Sequence, residues 1–318
     1  MLGFIWKWSL RFLGTLLALS LLFAVYGGIA YRDQPLRDSD AARNVSFLKT
    51  PHAEIAYRAD GLKHDDTTPV ILLHAMFFHM GMWDSWASEL ARNRPVYRFD
   101  VPGHGLSSLA NNGDYSLRST MSTLREFMDH QGIDRAILIG ASMGGATLFN
   151  FAAEYPERVE KLVLVNSGGL EGHDKADSGG LPDGAYWVLR YLPDWSLHYF
   201  VDWLTADNRA SDTFKTEFIH NFRNRDIRRG IIGRMQDFKS PETLSVLPQI
   251  QVPTLVMWGE KNPQLPVAQA ERFRALIERG GSPVALRIYP GAGHLLPVEG
   301  VDTAMQDLLA FVDQEAGE

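Results

Sequence analysis

The decapeptide Ala136-Ile137-Leu138-Ile139-Gly140-Ala141-Ser142-Met143-Gly144-Gly145 constrains the fold more than any other stretch of this chain. An apolar run ends in a Gly-x-Ser-x-Gly turn, and a helical pattern follows. So tight a bend needs small residues beside the serine, because larger ones would clash across it, and it lifts the Ser142 hydroxyl clear of the backbone. The following helix aims its free N–H groups and positive dipole end at that hydroxyl, where negative charge on a reacting oxygen is stabilised. Gly-x-Ser-x-Gly alone occurs by chance. A strand pattern before it and a helix pattern after it single out Ser142 as a candidate nucleophile.

Around this turn, short apolar runs alternate with helical patterns. Strands are expected at 45–49, 54–58, 70–73, 95–100, 136–139, 162–165, 254–258 and 284–289, with helices near 82–91, 117–130, 145–154, 266–278 and 302–313. Such alternation implies an α/β fold: an eight-stranded, mostly parallel sheet with helices on both faces. Between Gly168 and Leu247 the alternation stops. A Gly/Asp-rich loop leads there into helical stretches carrying Trp187, Tyr191, Trp195, Tyr199, Phe200, Trp203, Phe214, Phe218 and Phe222. That interval reads as a helical cap inserted into the core. Most of its aromatics are expected to pack the cap onto the body, and an aromatic roof favours a substrate with an apolar acyl chain or ring.

The N-terminus differs from the rest. Phe12 to Tyr31 contains no charged residue over 20 positions, about the length a helix needs to cross a bilayer core. Lys7 and Arg11 precede it, Arg32 and Asp33 close it, and Trp6, Trp8 and Tyr31 suit the two interfaces. The expected organisation is a transmembrane anchor over 1–31, a linker over 32–44, a first core part over 45–167, the cap over 168–247 and a second core part over 248–318. The localisation that follows is single-pass membrane attachment. A cleaved signal peptide is the competing reading, with Gly28-Ile29-Ala30 as cleavage site, but the apolar run exceeds the usual 7–15 residues. Basic residues flank both ends, so charge bias does not set the orientation.

Composition removes other classes. A net charge of −7 offers no electrostatic footprint for nucleic acid, and Arg223, Arg225, Arg228 and Arg229 read as a solvated helix face. With no cysteine, disulfides, thiolate catalysis and cysteine-ligated zinc are excluded. His74 and His79 form a conceivable metal pair, but no third ligand is spaced to join them, so neither metal nor cofactor is expected. Oligomeric state is not legible.

Five segments resemble a known family. Leu72-Leu73-His74-Ala75-Met76, Asp100-Val101-Pro102-Gly103-His104-Gly105-Leu106-Ser107, Gly140-Ala141-Ser142-Met143-Gly144-Gly145, Pro253-Thr254-Leu255-Val256-Met257-Trp258-Gly259-Glu260 and Gly291-Ala292-Gly293-His294 fall in the order and spacing of the α/β-hydrolase superfamily. The match covers about 45 to 315. It looks closest to capped, single-span members related to bacterial esterases, monoacylglycerol lipases and carbon–carbon bond hydrolases.

The resemblance implies Ser142 as nucleophile and His294 as general base, with the backbone N–H groups of Met76 and Met143 as oxyanion hole. A serine hydroxyl is a poor nucleophile at neutral pH, so an imidazole must take its proton during attack and return it to the leaving group. Other histidines have duller readings: His104 in a Pro-Gly-His-Gly turn, and His52, His64, His130 and His173 in polar stretches. Two departures stand out. The family usually has glycine where this chain has Ala75, which is strained if that position needs positive φ. The family's triad acid sits four residues after the tryptophan of the Trp-Gly segment, and here that residue is Asn262. The alternative acid position, at the end of the sixth strand, holds Asn166.

An asparagine carbonyl can accept a hydrogen bond from a histidine Nδ1–H and hold the ring, but it cannot stabilise the imidazolium by charge. Three readings follow: Glu260 swings in as the acid, Asn262 orients His294, or turnover is lost and a ligand pocket remains. The expected function is hydrolysis of apolar carboxylic esters, with a small-molecule ester or lipid as substrate. A non-catalytic lipid or small-molecule binder and a carbon–carbon bond hydrolase are the alternatives.

Overall fold

The computed structural model describes residues 14–22, 25, 36, 44–61, 67–170, 185–206, 210–238 and 243–314. Eight strands form one sheet: β1 (Ser46–Lys49), β2 (Glu54–Asp60), β3 (Val70–Leu73), β4 (Val96–Phe99), β5 (Ala136–Ala141), β6 (Val159–Val165), β7 (Thr254–Gly259) and β8 (Val284–Tyr289). Their order is β1-β2-β4-β3-β5-β6-β7-β8. β1 and β2 pair antiparallel, as do β2 and β4, and every other pairing is parallel.

The unbroken apolar character of β3 and β5 follows from burial on both faces. Along β3, Val70 and Leu72 join one core cluster while Ile71 and Leu73 join the other; along β5, Ile137 and Ile139 oppose Ala136 and Leu138 in the same way. On the first face lies α1 (Asp84–Leu90), with Trp86 and Leu90. On the second lie α2 (Leu117–Gln131) with Leu124 and Phe127, and α3 (Met143–Glu154) with Leu148 and Phe151. Ser116 caps α2 by accepting from Ser119 N–H, and Gly132 ends it at φ +66°, a left-handed conformation that glycine adopts without strain.

No strand lies between β6 and β7 among the described residues. That interval holds α4 (Ala185–Arg190), α5 (Asp194–Leu204), α6 (Asp212–Phe222), α7 (Arg225–Asp237) and the short α8 (Thr243–Val246). α9 (Ala268–Arg279) then joins the second face through Phe273 and Ile277, and α10 (Asp302–Asp313) the first through Leu308 and Val312. The inserted helices meet loops at the C-terminal end of the sheet. Arg234 of α7 donates to Pro102 O, Tyr115 O and Thr120 Oγ1, and Leu204 O at the end of α5 accepts from His294 N–H at 2.7 Å.

Two expectations need correction. The arginine cluster is not a solvated face: Arg225 and Arg229 are exposed, but Arg223 and Arg228 are buried. Arg228 donates to the carbonyls of Phe222 and Arg223, and Arg223 reaches Asp194, Arg190 O and Leu192 O. Helix ends leave carbonyls without partners inside the helix, and these guanidinium groups satisfy them where α4, α5, α6 and α7 meet. The second correction concerns the transmembrane anchor and the membrane localisation drawn from it. No helix among the described residues is long and apolar enough to cross a membrane. Of the expected span, 14–22 and 25 are described and helical, and the rest lies outside the described residues.

Candidate active site

Ser142 sits where β5 becomes α3, at φ +50° and ψ −112°. Positive φ is uncommon for a residue with a side chain, and here neighbouring hydrogen bonds hold it. Ser142 N–H donates to Val165 O at 3.0 Å, while its carbonyl accepts from Ala146 N–H and Gly168 N–H, both at 3.0 Å. The flanking glycines are sterically required. A Cβ on Gly144 would lie 2.2 Å from Leu73 O, and one on Gly140 would lie 2.6 Å from the Gly144 carbonyl carbon. The start of α3 therefore rests directly on the end of β3.

His294 lies in the loop after β8 and is 3% exposed. Its Nδ1 is 3.1 Å from Asn262 Oδ1, which also accepts from the backbone N–H groups of Gln264 and Leu265, each at 3.0 Å. Three donors thus converge on one amide oxygen. Asn262 Nδ2 donates to Asn166 Oδ1 at 3.0 Å, and Asn166 Nδ2 reaches back to Gly293 O at 3.2 Å and His294 O at 2.9 Å. The two asparagines standing where the superfamily places acids are joined to each other and to the histidine loop. Glu260 takes no part in these contacts. It is exposed, and its carboxylate accepts from Gly291 N–H at 3.1 Å.

Met76 lies in the loop after β3, beside β5, with Leu73 paired to Gly140. Met143 opens α3, so its N–H has no carbonyl of its own helix to meet. Ala75 does not take positive φ and so is not strained in place of the usual glycine; positive φ occurs two residues later, at Phe77 (+72°). Phe77 packs edge-on against Phe200 of α5 with ring centroids 5.5 Å apart. Asp100, whose contribution the sequence did not disclose, ties this loop to the next. One of its oxygens accepts from Met80 N–H at 2.7 Å and the other from Leu106 N–H at 2.8 Å. Burial pushes its pKa up to about 6.

The aromatics between β6 and β7 divide. Phe218 and Phe222 are buried, whereas Trp187, Trp195, Tyr199 and Trp203 are exposed. Between them lies an apolar cavity of about 350 Å³, lined by Phe77, Leu197, Phe200, Trp203, Phe218 and Phe222 among others. Phe77 adjoins Met76, so the cavity begins beside the loop after β3.

His74, His79 and His52 make structural contacts. His74 Nδ1 donates to Ala75 O at 2.9 Å and its Nε2 accepts from Val101 N–H at 3.1 Å, so both ring nitrogens are engaged. Burial lowers its pKa to about 3. His79 caps the turn at Met80–Trp83 through Gly81 N–H, and His52 pairs with Glu126 at 3.3 Å. His104 is buried against His74, and His130 is exposed. His64 and His173 lie outside the described residues. Among the described residues, no group of three or more His, Asp or Glu side chains is placed to hold a metal ion.

With the elbow on β5 and the histidine after β8 in place, the family can be stated: the chain belongs to the α/β-hydrolase fold family, whose sequence model matches residues 68–301. It is 30% identical over 249 residues to a dihydrolipoyllysine-residue acetyltransferase component of an acetoin cleaving system from Pseudomonas putida, covering 77% of this chain and 63% of that protein. It is 24% identical to the carboxylesterase YbfK of Bacillus subtilis, covering 88% of this chain and 91% of that one. Among solved structures, a serine hydrolase involved in carbazole degradation is similar at 25% identity and a TM-score of 0.69, covering 84% of this chain and 98% of that one.

Proposed function

We propose that this protein hydrolyses carboxylic esters of apolar acyl or aromatic groups through an acyl-enzyme on Ser142. The observation that carries the reading is the contact of His294 Nδ1 with an amide oxygen, in a protein that holds a serine at positive φ on a strand-to-helix elbow. With its Nδ1 proton on Asn262, the imidazole presents a lone pair at Nε2. Nε2 takes the Ser142 proton as Oγ bonds to the ester carbon. The negative oxygen that forms is held by the N–H groups of Met76 and Met143. The carbon–oxygen bond to the alcohol then breaks, and His294 returns the proton to the leaving alcohol. Water, deprotonated by the same nitrogen, releases the acid and restores Ser142.

The helices between β6 and β7 serve as the cap, and the cavity beside Phe77 takes the acyl group. Its lining is almost wholly aromatic and aliphatic, which favours apolar chains over charged ones. Likeness to a carboxylesterase agrees with this substrate class. The binder reading is disfavoured, because a ligand pocket alone needs neither a serine at positive φ nor an imidazole oriented by an amide.

A fluorophosphonate probe, applied to the full chain, labels the native protein and leaves Ser142→Ala unlabelled. p-Nitrophenyl esters of graded chain length are turned over by the native protein, and His294→Gln loses that turnover. Equal failure of both proteins to react with the probe would reject the proposal.

A further inference from the structure

Asn262 is an amide, and a half-turn about its last side-chain bond exchanges an acceptor for a donor. Turned the wrong way, its NH₂ group would face His294 and demand a lone pair at Nδ1. The ring proton would then sit on Nε2, leaving nothing there to accept the Ser142 proton. A carboxylate at this position has no such failure mode. A neutral amide works only if something else fixes which way it points.

Asn166 shares that task with the Gln264 and Leu265 N–H groups, and its own orientation is set by backbone groups whose roles cannot change. It is fully buried, at the end of β6, with φ +44°, and its N–H donates to Met257 O at 2.9 Å. Its Nδ2 faces two carbonyls, Gly293 O and His294 O, and so must be the donor. Its Oδ1 faces Gly259 N–H at 2.9 Å and so must be the acceptor. That same oxygen is 3.0 Å from Asn262 and admits only the NH₂ end of the Asn262 amide. On the other side of Asn262, the N–H groups of Gln264 and Leu265 admit only its oxygen.

We infer that Asn166 is a positioning residue. With the Gln264 and Leu265 N–H groups, it locks the Asn262 amide with its oxygen toward His294, selecting the Nδ1–H tautomer, and ties the β7 and β8 loops together while doing so. The kinetic part rests on the hydrolase reading given above, whereas the tautomer part does not.

The test uses the full chain labelled with ¹⁵N-histidine. Long-range ¹H–¹⁵N spectra at pH 8 report the His294 tautomer, with assignment by His294→Gln. The native protein shows Nδ1–H alone. Asn166→Gly tolerates the positive φ and leaves Asn262 Nδ2 buried without its acceptor, a cost comparable to what the Gln264 and Leu265 N–H groups hold. The Asn262 side chain therefore leaves its place beside His294 in part of the molecules. The variant gives a mixture of tautomers and lowers kcat for p-nitrophenyl butyrate about tenfold, with KM within twofold. Asn166→Asp keeps an acceptor facing Asn262 Nδ2 and retains the single tautomer, although its second oxygen opposes Gly293 O and His294 O and lowers Tm; general damage to the fold would not separate tautomer from stability in this way. In an Asn262→Ala background, Asn166→Gly changes the tautomer ratio no further, because its effect on the tautomer acts through Asn262.

A single Nδ1–H tautomer with unchanged kcat in Asn166→Gly would overturn the inference. So would a further change of tautomer ratio in the double variant. If the native protein turns over no ester, the hydrolase reading fails by itself and the tautomer comparison still decides the role of Asn166. If Asn166→Gly does not fold, Asn262 remains as the probe: an Asn262→Ala protein keeping Nδ1–H alone would equally overturn the inference.

Discussion

Restoring the acid at the third position should recover only part of what a carboxylate usually supplies. In Asn262→Asp, one carboxylate oxygen replaces Oδ1 and keeps its contact with His294 Nδ1 at 3.1 Å. At an effective dielectric of about 20, a full charge at that distance stabilises the transient imidazolium by about 5 kcal/mol. This agrees with the roughly 10⁴-fold effect of the reverse change in a serine protease. The second oxygen, however, replaces Nδ2 and lies 3.0 Å from Asn166 Oδ1, where an N–H···O bond stood before. Asn166 cannot turn to offer its NH₂ group without breaking its bonds to Gly293 O, His294 O and Gly259 N–H. Losing one hydrogen bond and opposing two buried acceptors costs about 2–4 kcal/mol. The expected net gain in kcat is therefore about ten- to a hundredfold in the single variant. It is larger in Asn166→Gly/Asn262→Asp, where the opposing oxygen is gone. Steady-state kinetics on p-nitrophenyl butyrate measure both. A gain of 10⁴ from Asn262→Asp alone would refute the matched-pair account, as would a gain that Asn166→Gly does not enlarge.

Other outcomes are equally specific. Gly144→Ala places a methyl 2.2 Å from Leu73 O, so the start of α3 must move by about 1 Å; kcat is expected to fall about 10²-fold, with a lower Tm by calorimetry. His74 is held neutral in the fold, with its pKa near 3, whereas the unfolded chain binds that proton below about 6.5. Stability is therefore lost as pH falls, by about 2 kcal/mol between pH 7 and 5 from His74 alone. Asp100 works in the opposite sense, since its raised pKa of about 6 makes the folded state bind the proton first. Urea unfolding of Asp100→Asn should thus show a steeper loss between pH 7 and 5 than the native protein, by about 1 kcal/mol. A slope equal to the native one would count against the Asp100 assignment. Arg228→Met removes the donor from Phe222 O and Arg223 O and should cost about 2–3 kcal/mol; Arg228→Lys, lacking the planar fork, recovers only part of it.

Much of the core was legible because it is local. The run Val70-Ile71-Leu72-Leu73 is buried on both faces, and nothing but a central parallel strand suits it, so both its ends were read without error. Asp302–Asp313 has helical spacing and was read with the same success. The elbow was legible because its Gly-x-Ser-x-Gly signature falls within six residues, from Gly140 to Gly145, whereas the approach of Gly144 to Leu73 O was not. Boundaries failed where a cap or a short turn intervened: the helix expected to open at Met82 begins as a 3-10 turn at Met80, set by His79. Arg223, just past the end of α6, and Arg228 of α7 were misread because charge usually implies exposure. What they satisfy is a set of helix-end carbonyls that no pattern in the sequence advertises.

Sequence alone determined the class of sheet, the serine's turn and the amide that stands where an acid is usual, since each depends on residues near one another in the chain. Only the tertiary structure decided what that amide does. Asn166 and Asn262 are 96 positions apart, and which end of each faces its neighbour is dictated by backbone carbonyls and N–H groups from β7 and from the loops after β7 and β8. Hydrogen-bond direction depends on three-dimensional neighbours, and an asparagine carries no trace of it until those neighbours are in place.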